Sequence, residues 1–143
     1  MNEIFALIEL SGSSRNAERL GAYIAWLVAN NLIAPSLQEQ AGPAIVRVRM
    51  QDLNGPEFFT TVMHGELKAE YLTETGCSFT RRYLVPGHYD IDYESVSYDG
   101  EDEWLRYREI SPKITAAYQA YIHPKSTLQK VSAKILQFPF RRK

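Results

Sequence analysis

The clearest pattern of apolar and polar positions lies between Asn16 and Ile33. Apolar side chains recur there at the spacing of one helix face, at Leu20, Tyr23, Ile24, Leu27 and Val28. Trp26 and Ile33 widen this face. Glu18 falls in the first turn, where the helix dipole favours an acid, and Pro35 follows the last turn. The pattern predicts an amphipathic helix that is central to the core.

A further helix is predicted to begin at Pro56, with Asn54 or Gly55 near its cap. Four apolar residues then follow at a spacing of four, which places them on one helix face: Phe59, Met63, Leu67 and Tyr71. Gly65 interrupts this pattern, so the segment can also be two short helices. Gly76 is interpreted as the helix stop.

The sequence pattern of three segments is compatible with two interpretations each. Ile4–Leu10 is a short apolar run that suits either a strand or a docked arm. Ala44–Leu53 contains an alternation typical of a half-exposed strand, although Pro43 before it also suits the first turn of a helix. Ser78–Val85 is interpreted as a strand or an irregular segment, and Pro86-Gly87 after it as a turn.

Towards the C-terminus, Ser111 and Pro112 have the order of a helix cap followed by a first-turn proline. A full helical stripe follows them, at Ile114, Ala117, Tyr118, Tyr121 and Ile122. Pro124 ends this helix. Ser126 then caps a last predicted amphipathic helix, with Leu128, Val131 and Ile135 on one side.

These patterns predict a mainly α fold of five or six short helices with at most a small β element, and they leave an α+β fold open. The chain has 143 residues, which suits one compact domain. We assign the globular domain to residues 1–124. Residues 125–143 are predicted to form a basic C-terminal helix and tail, either packed on the domain or trailing from it.

Composition indicates a globular cytoplasmic protein without a membrane segment. The apolar fraction of 45% supports a real core. The longest apolar stretch, Leu20–Ala29, has about ten residues, whereas a membrane span needs about twenty. The first residues carry Glu3 and no lysine or arginine, unlike the positive end of a signal peptide. Cys77 is the single cysteine, so an internal disulfide is excluded.

Charge is distributed unevenly along the chain. The stretch from Tyr89 to Glu109 contains two arginines and eight acids: Asp90, Asp92, Glu94, Asp99, Glu101, Asp102, Glu103 and Glu109. The segment after His123 contains six basic residues and no acid. That segment could bind phosphate non-specifically, but the sequence pI of about 6.3 makes a dedicated nucleic-acid-binding protein an unfavoured interpretation.

The residue pattern gives little support to catalytic activity or to metal binding. The three histidines, His64, His88 and His123, are scattered without ligand spacing. His88 precedes Asp90, Asp92 and Glu94, which would share a face if the segment were extended, but the spacing does not match a calcium loop. We therefore predict no metal, no cofactor and no enzymatic activity.

Two further motifs have simple structural explanations. Cys77 follows a glycine, yet no activating pattern surrounds it, so an incidental thiol is the favoured interpretation. Ser11–Ser14, with the sequence SGSS, precedes a predicted helix and resembles a phosphate-binding loop. It lacks a second glycine and the lysine of such loops, which favours helix capping instead.

The stretch from Tyr89 to Tyr107, which we call the acidic tract, also contains tyrosines, and this combination suits a protein interface. Aromatic side chains supply binding hot spots, and acids complement a basic partner and speed its association. An alternative interpretation is that the aromatic residues pack inward and the acids only solvate the surface. The predicted contact residues are Tyr89, Asp90, Asp92, Tyr93, Glu94, Tyr98, Asp99, Glu101, Asp102 and Glu103.

The order of several short blocks resembles a family of uncharacterised bacterial proteins, a domain of unknown function. The blocks are Glu18–Ile33, Leu53–Phe59, Gly65–Leu72, Gly76–Tyr83 and Asp102–Pro112. This chain departs from the family in its opening residues, and in having His64 where the family commonly has aspartate before the glycine. The resemblance favours helix over strand for Ala44–Leu53.

Proteins of this type look like cytoplasmic immunity or partner-binding proteins of bacterial toxin systems. The resemblance therefore implies a protein that binds and neutralises a cognate toxin, and the acidic tract suits a basic toxin domain as partner. An enzyme of unknown class and an adaptor or structural subunit, including a homo-oligomer, remain the alternatives.

Overall fold

The central element of the fold is helix α1, Ser14–Ala29. The structure is a computed structural model, and it describes residues 3–7 and 14–123. The prediction for this helix is confirmed, and it begins two residues before Asn16. Its whole apolar stripe is buried, as are Trp26 and Ile33. Helices α2, Pro35–Arg49, and α3, Gly55–Thr61, pack against it.

Helix α2 resolves the ambiguity at Ala44–Leu53 in favour of helix, which extends as far as Arg49. The helix is kinked, because Ala41 has φ −129° and ψ 29°, and Pro43 opens its second part. Pro43 has no backbone N–H to donate to the preceding turn and its ring crowds that turn, which favours a break in the helix there. The second part buries Ile45 and Val48 against the core.

The predicted apolar face from Phe59 to Tyr71 is wrong beyond Met63. The chain turns sharply there, since His64 and Gly65 both have positive φ. Strand β2, Glu66–Lys68, follows and pairs antiparallel with β1, Ile4–Leu7. A single 3-10 turn, Ala69–Tyr71, comes next. The strand interpretation of the N-terminal run is thus confirmed over β1, and residues 8–10 lie outside the described part.

The interpretation of the segment Ser78–Val85 as a strand or irregular is also wrong over Ser78–Tyr83, which is helical, and Leu84 and Val85 lie in the turn that follows. Helix α4 spans Glu74–Tyr83, and Gly76 lies inside it rather than at a helix stop. The cap is Thr73, whose side-chain oxygen accepts a hydrogen bond from the Gly76 amide at 3.0 Å. The predicted turn at Pro86-Gly87 is confirmed.

The last two helices of the described part are α5, His88–Glu94, and α6, Glu103–Ile122. The predicted helix start at Ser111-Pro112 is wrong, because α6 runs through both residues. Its cap is Asp102, whose carboxylate accepts from the amides of Trp104 and Leu105.

The described residues form six helices and one two-stranded sheet, which confirms the mainly α fold. None of these described helices is long and apolar enough to cross a membrane. The core is rich in aromatic side chains, with the Tyr23 ring 5.2 Å from that of Tyr89 and 6.2 Å from that of Trp26. The predicted C-terminal helix and tail, 125–143, lie outside the described residues.

Candidate functional site

The acidic tract is divided among α5, a loop of residues 95–102 and the start of α6. The expectation that Asp90, Asp92 and Glu94 share an extended face is wrong, because all three lie on a helix. Residues two apart on a helix point to different sides. Asp90 therefore pairs with Arg19 of α1 at 2.5 Å, whereas Asp92 accepts a hydrogen bond from the Tyr83 hydroxyl at 2.6 Å.

Tyr89 belongs to the core rather than to the surface. Its side chain is fully buried, and its hydroxyl donates to the backbone carbonyl of Arg19 at 2.6 Å. Burial raises the pKa of Tyr89 well above its ordinary value, so the hydroxyl stays protonated. Together with the Arg19–Asp90 pair, this hydrogen bond fixes α5 against α1.

The loop between α5 and α6 is held by the carboxylate of Glu109. This group accepts from the backbone amides of Ser97 at 2.6 Å and Tyr98 at 3.1 Å, and also from the Ser97 hydroxyl. These hydrogen bonds lower the pKa of Glu109, with those of Ser97 contributing most. The loop backbone is thus anchored from α6.

Tyr98 folds back over its own loop. Its hydroxyl accepts from the backbone amide of Asp102 at 2.9 Å. Gly100 makes this possible, because a Cβ at that position would lie 2.6 Å from the Tyr98 Cζ. The Gly100 carbonyl in turn accepts from the Arg106 guanidinium.

These contacts leave a concave surface of about 310 Å³, which we call the acidic cleft. It is lined by Glu18, Tyr93, Tyr98, Asp99, Gly100, Glu101 and Arg106. Four of the predicted contact residues therefore come together here. Glu94 and Asp102 are exposed but do not line the cleft.

A buried ion pair lies next to the acidic cleft. Glu103 accepts from the Arg106 guanidinium at 2.7 Å, and the two side chains are only 9% and 10% exposed. The second carboxylate oxygen of Glu103, Oε2, is buried and has no hydrogen-bond partner among the described residues. Burial raises the pKa of Glu103 to about 7, against the opposing effect of Arg106, and Glu18 raises it further.

A second concave surface, which we call the aromatic groove, lies between α4, α5 and α6 and has a volume of about 460 Å³. It is lined by Phe79, Arg82, Tyr83, His88, Ile91, Asp92, Ala117, Ala120 and Tyr121. His88 and Asp92 thus meet in one groove, whereas Asp90 faces α1. Asp92 already binds the Tyr83 hydroxyl, and Arg82 lies over the Tyr121 ring at 5.9 Å.

The remaining chemical candidates are separate from both surfaces. Within the described ranges, no three histidine, cysteine or acidic side chains come together as metal ligands. The thiol of Cys77 donates to the Ala69 carbonyl at 3.3 Å, and burial raises its pKa, which disfavours the reactive thiolate. Ser11–Ser13 lie outside the described residues, and Ser14 begins α1.

Two residues of the cleft, Glu18 and Arg106, are not among the contact residues predicted from the sequence. Glu18 belongs to α1, far along the chain from the acidic tract, and only the packing of α5 and α6 on α1 brings it to the cleft. Arg106 is one of the two arginines between Tyr89 and Glu109, and the sequence marks it only as a charge opposing the acids. No local sequence signal distinguishes either residue.

Comparison with known proteins defines the family. Residues 9–123 match the model of the family described as a domain of unknown function, DUF7832. The chain belongs to this family. No curated protein and no solved structure matches the chain.

Proposed function

We propose that this protein is an immunity-type protein that binds a cognate bacterial toxin in the cytoplasm and neutralises it. The observation that carries the proposal is the acidic cleft, where carboxylates and tyrosines from three parts of the chain converge. This combination suits a basic protein partner, because aromatic rings supply contact area and acids supply charge complementarity.

The distribution of partners among the acids supports a binding role. Among the described ion pairs, none involves Glu18, Asp99 or Glu101, which all line the acidic cleft. By contrast, Asp90 and Glu103 are paired within the fold. These three acids, which form no ion pair with another described residue, lie together in a concave surface where a positively charged partner could reach them.

The state of the candidate catalytic groups gives less support to the enzyme alternative. Asp92 in the aromatic groove accepts a hydrogen bond from the Tyr83 hydroxyl, and burial disfavours ionisation of the Cys77 thiol. A general base or nucleophile needs a free, activated group. We therefore propose a protein that acts by binding.

Co-expression with the product of the adjacent gene tests the proposal. If that product is toxic, the present chain should restore growth and co-purify with it as a complex. Association should slow as salt rises from about 50 to 500 mM, because screening weakens steering between opposite charges. A toxic product that neither binds the chain nor loses its toxicity would contradict the proposal.

A further inference from the structure

We infer that the acidic cleft is a receptor for the guanidinium group of one arginine side chain of the basic partner, an inference that rests on the proposed function. The cleft, rather than the whole acidic tract, would then be the centre of the interface. Buried arginine and tyrosine side chains are common hot spots at such centres.

The charge of the acidic cleft favours a cation as its ligand. Arg106 is the single basic residue among the described lining of the cleft, and its guanidinium is already bound to Glu103 and to the Gly100 carbonyl. The carboxylates of Glu18, Asp99 and Glu101 are left without a cation in the described part of the chain. A cation entering the cleft would be attracted by all three charges.

The tyrosines specify the kind of cation. Arg106 lies 5.7 Å from the ring centre of Tyr98, so this cleft already holds one guanidinium group against an aromatic face. Tyr93 is half-buried and supplies a second ring at the same surface. A planar guanidinium stacks on such rings and forms forked hydrogen bonds with carboxylates, which an ammonium group does less well.

Glu103 provides an independent observation. Its side chain is nine-tenths buried, and Oε2 has no partner among the described residues, although buried polar atoms are normally hydrogen-bonded. Glu103 lies next to the cleft, because its other carboxylate oxygen accepts at 2.7 Å from Arg106, which lines the cleft. A cation bound in the cleft would add to Arg106 in favouring the ionised form of this carboxyl.

The dimensions favour an organic cation over a metal ion. A volume of about 310 Å³ is at the lower end of the range for small ligands, and it exceeds what a bare ion requires. Calcium needs six to eight oxygen ligands. The carboxylates of the described residues do not converge in that way.

Titration of the full-length protein with a model arginine tests the inference without the partner. The probe is Nα-acetyl-L-arginine N-methylamide, and the neutral control is the matching citrulline compound. Amide NMR shifts should change around Glu18 and residues 97–101 with arginine only. Equal binding of citrulline, or shifts confined to other regions, would overturn the inference.

Substitutions locate the binding site on the protein. Asp99→Asn with Glu101→Gln should weaken arginine binding about tenfold, because the two substitutions remove two exposed charge contacts. Glu39→Gln with Glu70→Gln changes two exposed acids elsewhere and should leave it unchanged. Equal affinity of the two double variants would overturn the inference, and the unchanged amide spectrum of each free variant verifies its fold.

A spermidine titration distinguishes a protein side chain from a free polyamine. If spermidine binds the protein and the arginine compound does not, the inference is overturned. Tighter binding of the arginine compound than of spermidine supports it. The outcome is separable from that of co-expression. A toxin complex without arginine binding would support the proposed function and contradict the arginine receptor. Arginine binding without rescue from the toxin would support the arginine receptor and contradict the proposed function.

Discussion

Gly21 of α1 and Gly55 at the start of α3 lie in direct backbone contact. A Cβ on Gly21 would lie 2.6 Å from the Cα of Pro56, and a Cβ on Gly55 would collide with the Gly21 carbonyl. Real Cβ atoms do not approach so closely, so each glycine is required by the other helix. Gly21 and the Gly55-Pro56 step therefore form the two sides of one close crossing between α1 and α3.

Gly21→Ala should destabilise the protein by about 1–3 kcal/mol or more, because a methyl group in a well-packed contact forces the helices apart. Urea unfolding measures the change. The matched control is Gly42→Ala in α2, where an added Cβ would meet nothing within 4 Å. Its stability should be unchanged or higher by up to about 1 kcal/mol. Equal losses in both variants would contradict the proposed crossing.

Helix α1 could be predicted from the sequence because nearly every position on its buried face is apolar. Helix α4 could not, because Thr80 interrupts its buried face. The Thr80 side chain is fully buried and hydrogen-bonds the Tyr23 hydroxyl at 2.9 Å, a partner that belongs to another helix. A polar residue satisfied by a distant group hides the helical period.

The candidate site was predictable only in part, for a similar reason. The sequence marks the acidic tract, but not which of its members are used within the fold. Tyr89 is a core residue and Asp90 pairs with Arg19, whereas Asp99 and Glu101 stay exposed. The difference depends on contacts with α1, which lie about seventy positions away and leave no local pattern.

Trp26→Ala should cost about 3–5 kcal/mol of stability, because the side chain is fully buried and its loss leaves a cavity. The indole nitrogen also donates to the Thr115 hydroxyl at 3.0 Å, which joins α1 to α6. Thr115→Val removes only this hydrogen bond and should cost about 1 kcal/mol. Chemical denaturation of both variants measures the difference, and a change near zero for Trp26→Ala would show that its burial is wrong.

Pro112→Ala should stabilise the protein by about 1–3 kcal/mol, since proline within α6 removes a backbone donor and its ring disturbs the preceding turn. Pro112 is exposed, so the substitution leaves the core intact. Thermal unfolding and helical circular dichroism check the result. A loss of stability would instead indicate that a helix begins at Ser111, where proline is favourable.

The Glu103 carboxyl should make stability depend on pH. Its folded pKa of about 7 lies above the ordinary value of 4.5, so the folded state binds more protons between these values. Stability from this group is therefore greatest below about pH 4.5 and is lost as the pH rises towards 7. The neighbouring groups that act on it are Glu18, Tyr93, Asp102 and Arg106.

Urea unfolding of the wild type and of Glu103→Gln at pH 5 and pH 8 isolates this contribution. The stability of the wild type relative to the variant should fall by on the order of 1–3 kcal/mol between the two pH values. Other acids titrate alike in both proteins and cancel in the difference. A difference that stays constant, or that rises with pH, would mean that Glu103 is ionised throughout.

The affinity of the proposed toxin partner, once purified, for charge-reversed variants of this protein tests the central claim most directly. Asp99→Lys with Glu101→Lys reverses two charges of the acidic cleft, and Glu39→Lys with Glu70→Lys reverses two exposed acids outside it. Calorimetry should find the Kd raised about a hundredfold or more for the first pair, because repulsion replaces attraction, and nearly unchanged for the second. Equal Kd values for the cleft variant and the wild type would contradict the account.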